Sequence, residues 1–282
     1  MVENDQNITQ QGMHEQEERG IKQTLSMIKH KIVVMSGKGG VGKSSVAAYL
    51  SVALAKKGYK VGLLDVDLHG PSIPRLLGLK TGILAGSEAD RVPAVQYLSN
   101  MWVVSIESLM GENRDIATIW RGPMKIGIIR QFIGEIDWQN LDYMIIDSPP
   151  GTGDEPLTVA QTVPDAKAII VTTPQEISLA DIRKSIDFCR QVNMEILGVV
   201  ENMSGLICPH CGKMIELFKT KGGSQIAENE NLTLLGTLPL EPEVITQADI
   251  GGVEFLNDRD LAFTRAFDKL VNAVVNRAER ST

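Results

Sequence analysis

Short, nearly unbroken apolar runs alternate along this chain with longer stretches whose apolar residues recur at helical spacing. The runs are Ile32–Met35, Lys60–Val66, Trp102–Ile106, Asp142–Asp147, Lys167–Thr173, Glu195–Glu201 and Leu232–Gly236. Lacking a polar residue at every second position, they predict strands, and the longer ones the strands of a parallel sheet buried on both faces. The spacing predicts helices over 43–57, ended by Gly58, over 121–136, begun by Pro123, and over 178–192. Two more are predicted from Gly222-Gly223 to about 230 and over 258–277. The second helix is apolar at Ile128, Ile129, Phe132 and Ile133, and the last at Phe263, Phe267, Leu270, Val271 and Val274. Strand and helix alternate from residue 31 onward, which predicts an α/β fold, a doubly wound and mostly parallel sheet with helices on both faces. Ligands bind such sheets beyond the carboxyl ends of the strands. Residues 78–100 are weakly patterned and read as a surface excursion. Residues 1–29, rich in Gln, Glu and Asn, read as a flexible tail with a short helix over 21–28, and 30–282 as a single domain.

Composition narrows the class. The 282 residues are 43% hydrophobic and 22% charged, enough to bury a core. A net charge of −7 argues against a general attraction to nucleic acid or an anionic membrane. No apolar run approaches the ~20 residues of a membrane span, and the polar amino-terminal stretch lacks the core of a secretion signal. A cytoplasmic protein with no nucleic-acid or membrane partner is expected. The cysteines are Cys189, Cys208 and Cys211, too few for a disulfide framework. Cys189 reads as a small core residue, and Cys208-Pro-His-Cys211 as a metal-binding or redox pair.

The strongest chemical signal is Gly37-Lys38-Gly39-Gly40-Val41-Gly42-Lys43-Ser44-Ser45, set between the first run and the first helix. Gly37, Gly42, Lys43 and Ser44 match the G-x-x-x-x-G-K-[ST] phosphate loop. Glycines let the backbone turn several N–H groups into one concavity, and the helix behind presents its positive dipole end to the same spot. Lys43 can reach the β- and γ-phosphates of a nucleoside triphosphate, and the Ser44 hydroxyl can hold Mg²⁺.

Carboxylates follow two later runs. Asp65 and Asp67 end one and precede a Gly-Pro break; burying them unpaired is costly, so metal and water chemistry beside the phosphate loop explains them better than packing. Asp147 ends another run, as a carboxylate does when it serves Mg²⁺. It precedes Ser-Pro-Pro and then Gly151-Thr-Gly153, a flexible stretch of the kind a γ-phosphate switch uses. Asn202, after the Glu195–Glu201 run, caps the next turn or bonds a nucleotide base edge. His69 is given no role. Cys208 and Cys211 supply half a tetrahedral set of thiolates. A twofold dimer would supply four, as a [4Fe–4S] cluster requires; a shared zinc and a redox or structural role remain as alternatives.

With Lys38 early in its loop, the chain resembles the deviant Walker A ATPases, the class of MinD, ParA and the nitrogenase iron protein. Asp65-Val-Asp-Leu-His-Gly-Pro-Ser72, Asp147-Ser-Pro-Pro-Gly-Thr-Gly-Asp154 and Asn202-Met-Ser-Gly205 followed by Cys208-x-x-Cys211 resemble the Mrp/ApbC-type iron–sulfur cluster carriers over residues 30–280. The resemblance implies a slow ATPase that works as a homodimer. Lys38 would reach the partner's phosphates, Asp67 would polarise the attacking water, Asp147 would serve Mg²⁺ and Asn202 the adenine. Cys208 and Cys211 would bridge a labile [4Fe–4S] cluster delivered to apo iron–sulfur proteins. Some relatives add an amino-terminal cysteine motif; residues 1–30 contain no cysteine, so no second cluster is expected. The alternatives are a MinD/ParA-like positioning ATPase and an ATPase with a dimer-shared structural zinc.

Overall fold

In the computed structural model, which describes residues 2–68, 70–79, 91–106, 122–175, 178–217, 222–256 and 259–280, the apolar runs lie side by side. The strands are β1 (Ile28–Met35), β2 (Val61–Asp65), β3 (Val92–Pro93), β4 (Val95–Leu98), β5 (Met101–Ser105) and β6 (Ile136–Asp137). They continue as β7 (Leu141–Asp147), β8 (Lys167–Thr172), β9 (Glu195–Glu201), β10 (Leu206–Ile207), β11 (Met214–Ile215) and β12 (Leu234–Thr237). Eight of them form one sheet in the order β12-β9-β8-β1-β7-β2-β5-β4. Every pairing in it is parallel except β4 with β5. The expected doubly wound sheet is present. The supposed surface excursion contributes β3 and its antiparallel edge strand β4, while residues 80–90 within it, His69, and Arg121 of the predicted second helix lie outside the described residues.

Helices cover both faces because strand side chains alternate between them. Ile32, Val34, Leu63 and Ile145 point to one face, under α2 (Lys43–Lys56), α3 (Ile73–Leu76), α8 (Pro242–Asp249), α9 (Val253–Leu256) and α10 (Ala262–Arg280). Val33, Met35, Leu64 and Ile146 point to the other, under α4 (Gly122–Gly134), α5 (Asp154–Thr162), α6 (Ser178–Gln191) and α7 (Gly222–Asn229). The expected apolar stripe of α10 is buried at Phe263, Phe267, Leu270, Val271 and Val274. Cys189 is fully buried on α6, with its sulfur 3.7 Å from that of Met35, as a core residue should be.

The amino-terminal stretch departs from its reading as a flexible tail: Val2–Ser26 form helix α1. Tertiary contacts explain the difference. Ile21 packs into the second core cluster, and Gly20 and Gly134 let α1 and α4 approach so closely that a Cβ on Gly20 would sit 3.1 Å from the Gly134 carbonyl oxygen. Arg130 of α4 donates to Glu17 and Glu18 at 2.8 and 2.7 Å. These partners lie over a hundred residues away, where local composition cannot signal them.

Candidate nucleotide site and cysteine hairpin

The phosphate loop leaves the centre of the sheet at the end of β1 and turns into α2. Gly42 is the residue before α2 and sits at φ 80°, a left-handed conformation natural to glycine. No side chain caps α2, so its first amide groups are free for an anion. The loop is held from below: the Ser36 hydroxyl donates to the Lys38 carbonyl at 3.0 Å, and the Gly151 amide to the Ser36 carbonyl at 2.8 Å.

Strand register gathers the carboxylates. Asp147 of β7 is level with Val34 of β1 and with Asp65 of β2, and Asp65 is level with Ser105 of β5. Asp65 and Asp147 are both fully buried. Lys43 is buried too, and its Nζ donates to Asp147 Oδ1 at 2.5 Å and to the Ser44 hydroxyl at 3.2 Å. Burial pushes Asp147 upward, an effect opposed by the charge and hydrogen bond of Lys43. Burial raises Asp65 well above the carboxylate range, and the Asp147 charge adds to it. Asp147 Oδ2 is buried without a hydrogen-bond partner. Beside the Ser44 hydroxyl it leaves a hard oxygen donor of the type Mg²⁺ takes, so these residues fit the ion.

Asp65 is braced at both oxygens, by the Ser105 hydroxyl at 3.1 Å and by the Asp67 amide at 3.1 Å. It therefore positions the loop that carries Asp67, whose half-exposed carboxylate accepts the Gly70 amide at 3.2 Å. Because Asp65 is raised, its neutral form stabilises the unliganded fold fully below the ordinary range near 3.8, and that contribution is lost as pH rises through the folded value. Asp65→Asn is expected to flatten this fall: a thermal melting series against pH should show a shallower decline than the parent. An identical slope would remove Asp65 as its source.

Lys38 points away from its own loop, donating to Gln175 Oε1 at 3.1 Å beyond β8. Asn202, beyond β9, is buried, and its Nδ2 donates to the Val41 carbonyl of the phosphate loop at 2.9 Å. The approach is tight, since a Cβ on Gly42 would lie 2.3 Å from that Nδ2. Neither the turn cap nor the base-edge contact read for Asn202 anticipates this bond to the loop.

Cys208 and Cys211 lie at the tip of the antiparallel β10–β11 hairpin, Cys208 half-buried and Cys211 exposed. The turn closes with the Gly212 amide on the Cys208 carbonyl and the Cys208 amide on the Lys213 carbonyl, each at 2.9 Å. The amides of Cys211 and then His210 hold the Cys208 thiol below its usual range, which favours the thiolate. Among the described residues no group of three or more His, Cys, Asp or Glu could hold a metal ion, so the hairpin presents two sulfurs with no further ligand from those residues. Met214, Ile215 and Leu217, just beyond the cysteines, are exposed.

Sequence reading missed Ser105, Gln175 and Glu201. Glu201 carried a signal, a carboxylate closing an apolar run as Asp147 does; Ser105 closes β5 in the same way with a hydroxyl. Nothing local marks Gln175.

A strand, a glycine loop and a helix, with a buried carboxylate on the adjacent strand and an extra lysine early in the loop, define a P-loop NTPase of the deviant Walker A class. The chain belongs to the NUBPL iron-transfer P-loop NTPase family, whose model residues 27–275 match. It is similar to the cytosolic Fe-S cluster assembly factor CFD1 of Kluyveromyces lactis, 43% identical over 272 residues, which are 93% of this chain and 96% of that one. It is also similar to the iron-sulfur cluster carrier protein of Methanocaldococcus jannaschii, 42% identical over 265 residues, with 94% and 90% covered. Among solved structures it resembles a nucleotide-binding protein of Archaeoglobus fulgidus in complex with ADP, with a TM-score of 0.74 at 41% identity over 84% of this chain and 92% of that one. The cell division ATPase MinD of Pyrococcus furiosus, at a TM-score of 0.61 and 24% identity over 88% of this chain and 99% of that one, shares the fold. No helix among the described residues is long and apolar enough to cross a membrane.

Proposed function

We propose that the chain is an ATP-hydrolysing iron–sulfur cluster carrier that works as a homodimer in the cytosol. It holds a labile [4Fe–4S] cluster between two copies and passes it to apo-proteins. The observation that carries this reading is the hairpin: two sulfurs, one favoured as thiolate, with no further ligand among the described residues of their own chain. A second copy completes the four thiolates. The exposed Met214, Ile215 and Leu217 support such a contact, since an apolar cluster beside a metal-binding pair is a natural interface.

The nucleotide site supplies the drive. Lys43 exchanges Asp147 for the β- and γ-phosphates of ATP, leaving the carboxylate and the Ser44 hydroxyl to hold Mg²⁺. The ion, when bound, neutralises charge on the phosphate oxygens. Asp67 orients a water for attack on the γ-phosphorus, with ADP as the leaving group. Lys38 leaves Gln175 to reach across to the partner's phosphates. Because Asn202 Nδ2 is given to Val41, Asn202 would meet the adenine amino group through Oδ1. Hydrolysis is slow and changes the geometry of the dimer. A dimer-shared zinc is the second reading, since the same sulfurs doubled make a Cys₄ tetrahedron.

Anaerobic reconstitution with iron and sulfide, followed by sizing, tests the proposal. The expected product is a brown dimer with about two iron atoms per chain. A monomer without iron, or a dimer that takes only zinc, would sink the carrier reading.

A further inference from the structure

The cysteine hairpin is an excursion from the sheet. It departs at the end of β9, and the next described element after it is α7. One side chain holds both ends. Glu201, the last residue of β9, is only 3% exposed. Its Oε1 accepts the Ser204 hydroxyl at 2.5 Å, and its Oε2 accepts the Gly223 amide at 2.6 Å. Ser204 lies just before β10, and Gly223 is in the first turn of α7. The fit is closed, because a Cβ on Gly223 would lie 2.8 Å from the Glu201 Cβ and 2.9 Å from Oε2. Backbone bonds lace the same root: Ser204 to Leu238 at 2.9 Å, Ile207 to Leu240 at 3.0 Å, and Leu240 to Gly205 at 2.7 Å.

The next residue serves a different part of the molecule. Asn202 donates to Val41 of the phosphate loop. Two consecutive side chains at one strand end therefore hold the two functional loops, Glu201 the root of the cysteine hairpin and Asn202 the nucleotide cradle. A buried carboxylate is costly unless its oxygens are satisfied. Here a hydroxyl and a helix amino-terminal amide satisfy them, the second aided by the helix dipole. Glutamine can still accept the Gly223 amide through its carbonyl and donate to the Ser204 oxygen, but both bonds then lack the charge that makes them strong.

We propose that Glu201 is the positioning residue of the cysteine hairpin, and that the Glu201–Asn202 pair transmits occupancy of the phosphate loop to the presentation of Cys208 and Cys211. The functional meaning of that presentation rests on the carrier reading above. The contact itself does not, so the test is made on cluster-free protein.

The measurement is the alkylation rate of Cys208 and Cys211 by iodoacetamide, read by mass spectrometry on the full chain, with and without Mg-ADP. Buried Cys189 serves as an internal report on global unfolding. In the parent, ADP changes the rate. Glu201→Gln raises the nucleotide-free rate about tenfold, the factor corresponding to the charge assistance lost from these two hydrogen bonds. It also removes the response to ADP while ADP affinity is kept, a separation that a merely structural role would not produce. Ser204→Ala, which releases only the entry to the hairpin, shifts both readouts in the same direction by less. Should Glu201→Gln expose Cys189, Ser204→Ala decides alone. The proposal is overturned by a parent whose thiols ignore ADP, or by a Ser204→Ala chain with the parent's rate and response. A parent that never takes up iron would sink the carrier reading and leave this result standing.

Discussion

Lys43→Ala is expected to lose about 3–5 kcal/mol of unliganded stability, the cost of stripping one partner from a buried ion pair, and its ATP hydrolysis to fall by roughly two to three orders of magnitude. Here the ammonium also answers a charge problem inside the fold, because Asp147 and Asp65 are fully buried on adjacent strands at the same level. Lys43 bonds Asp147 directly at 2.5 Å. Without it both acids must take up protons or remain uncompensated. Denaturant unfolding at neutral pH should register the loss, and acidification should recover part of it by neutralising the carboxyls. Combining Lys43→Met with Asp147→Asn should restore more stability than the single changes predict, since the double variant leaves no orphaned partner. A Lys43→Ala chain as stable as the parent would show that the acids are already neutral and that the lysine is solely a phosphate ligand.

Cys208→Ser and Cys211→Ser should each bring the iron of reconstituted protein from about two atoms per chain to near zero, because a [4Fe–4S] cluster that loses a thiolate from each copy keeps only half its set. Stability should move by no more than about 0.5 kcal/mol, the usual range for exposed sites, since Cys211 is exposed and Cys208 half-buried on a small separate hairpin. Nucleotide binding should be unchanged in the cluster-free protein. Iron and sulfide analysis beside a melting curve reads both at once. A serine variant with full iron loading would move the cluster elsewhere, and one that unfolds would make the hairpin a structural staple.

Much of this was legible in residue order alone. β1, β2, β7, β8 and β9 announce themselves as unbroken apolar runs, because strands covered on both faces need no polar side. The phosphate loop is equally plain, since close approach of backbone to phosphate demands glycines and a lysine at fixed spacing. Asp65 and Asp147 stood out because acids are costly at buried strand ends. The docked α1 was not legible. Its polar composition resembles a solvated tail, and what holds it is Gly134, Arg130 and a core assembled from distant segments. Ser105 and Gln175 were hidden for a related reason: a hydroxyl or an amide acquires a role only when register or a loop brings its partner within bonding distance.

Sequence by itself determined that the chain makes a parallel sheet, grips a nucleotide phosphate and carries one Cys-x-x-Cys pair, because each of these is written in contiguous residues whose chemistry follows from their own spacing. Tertiary structure alone decided that Asp65 braces Asp67, that Lys38 rests on Gln175, and that Glu201 and Asn202 hold the two functional loops from one strand end. Those relations depend on which strands become neighbours and how they are aligned along their length, and a shift of one residue in that alignment would turn the strand residues among them, Asp65 and Glu201, to the opposite face and carry the loops behind them out of place.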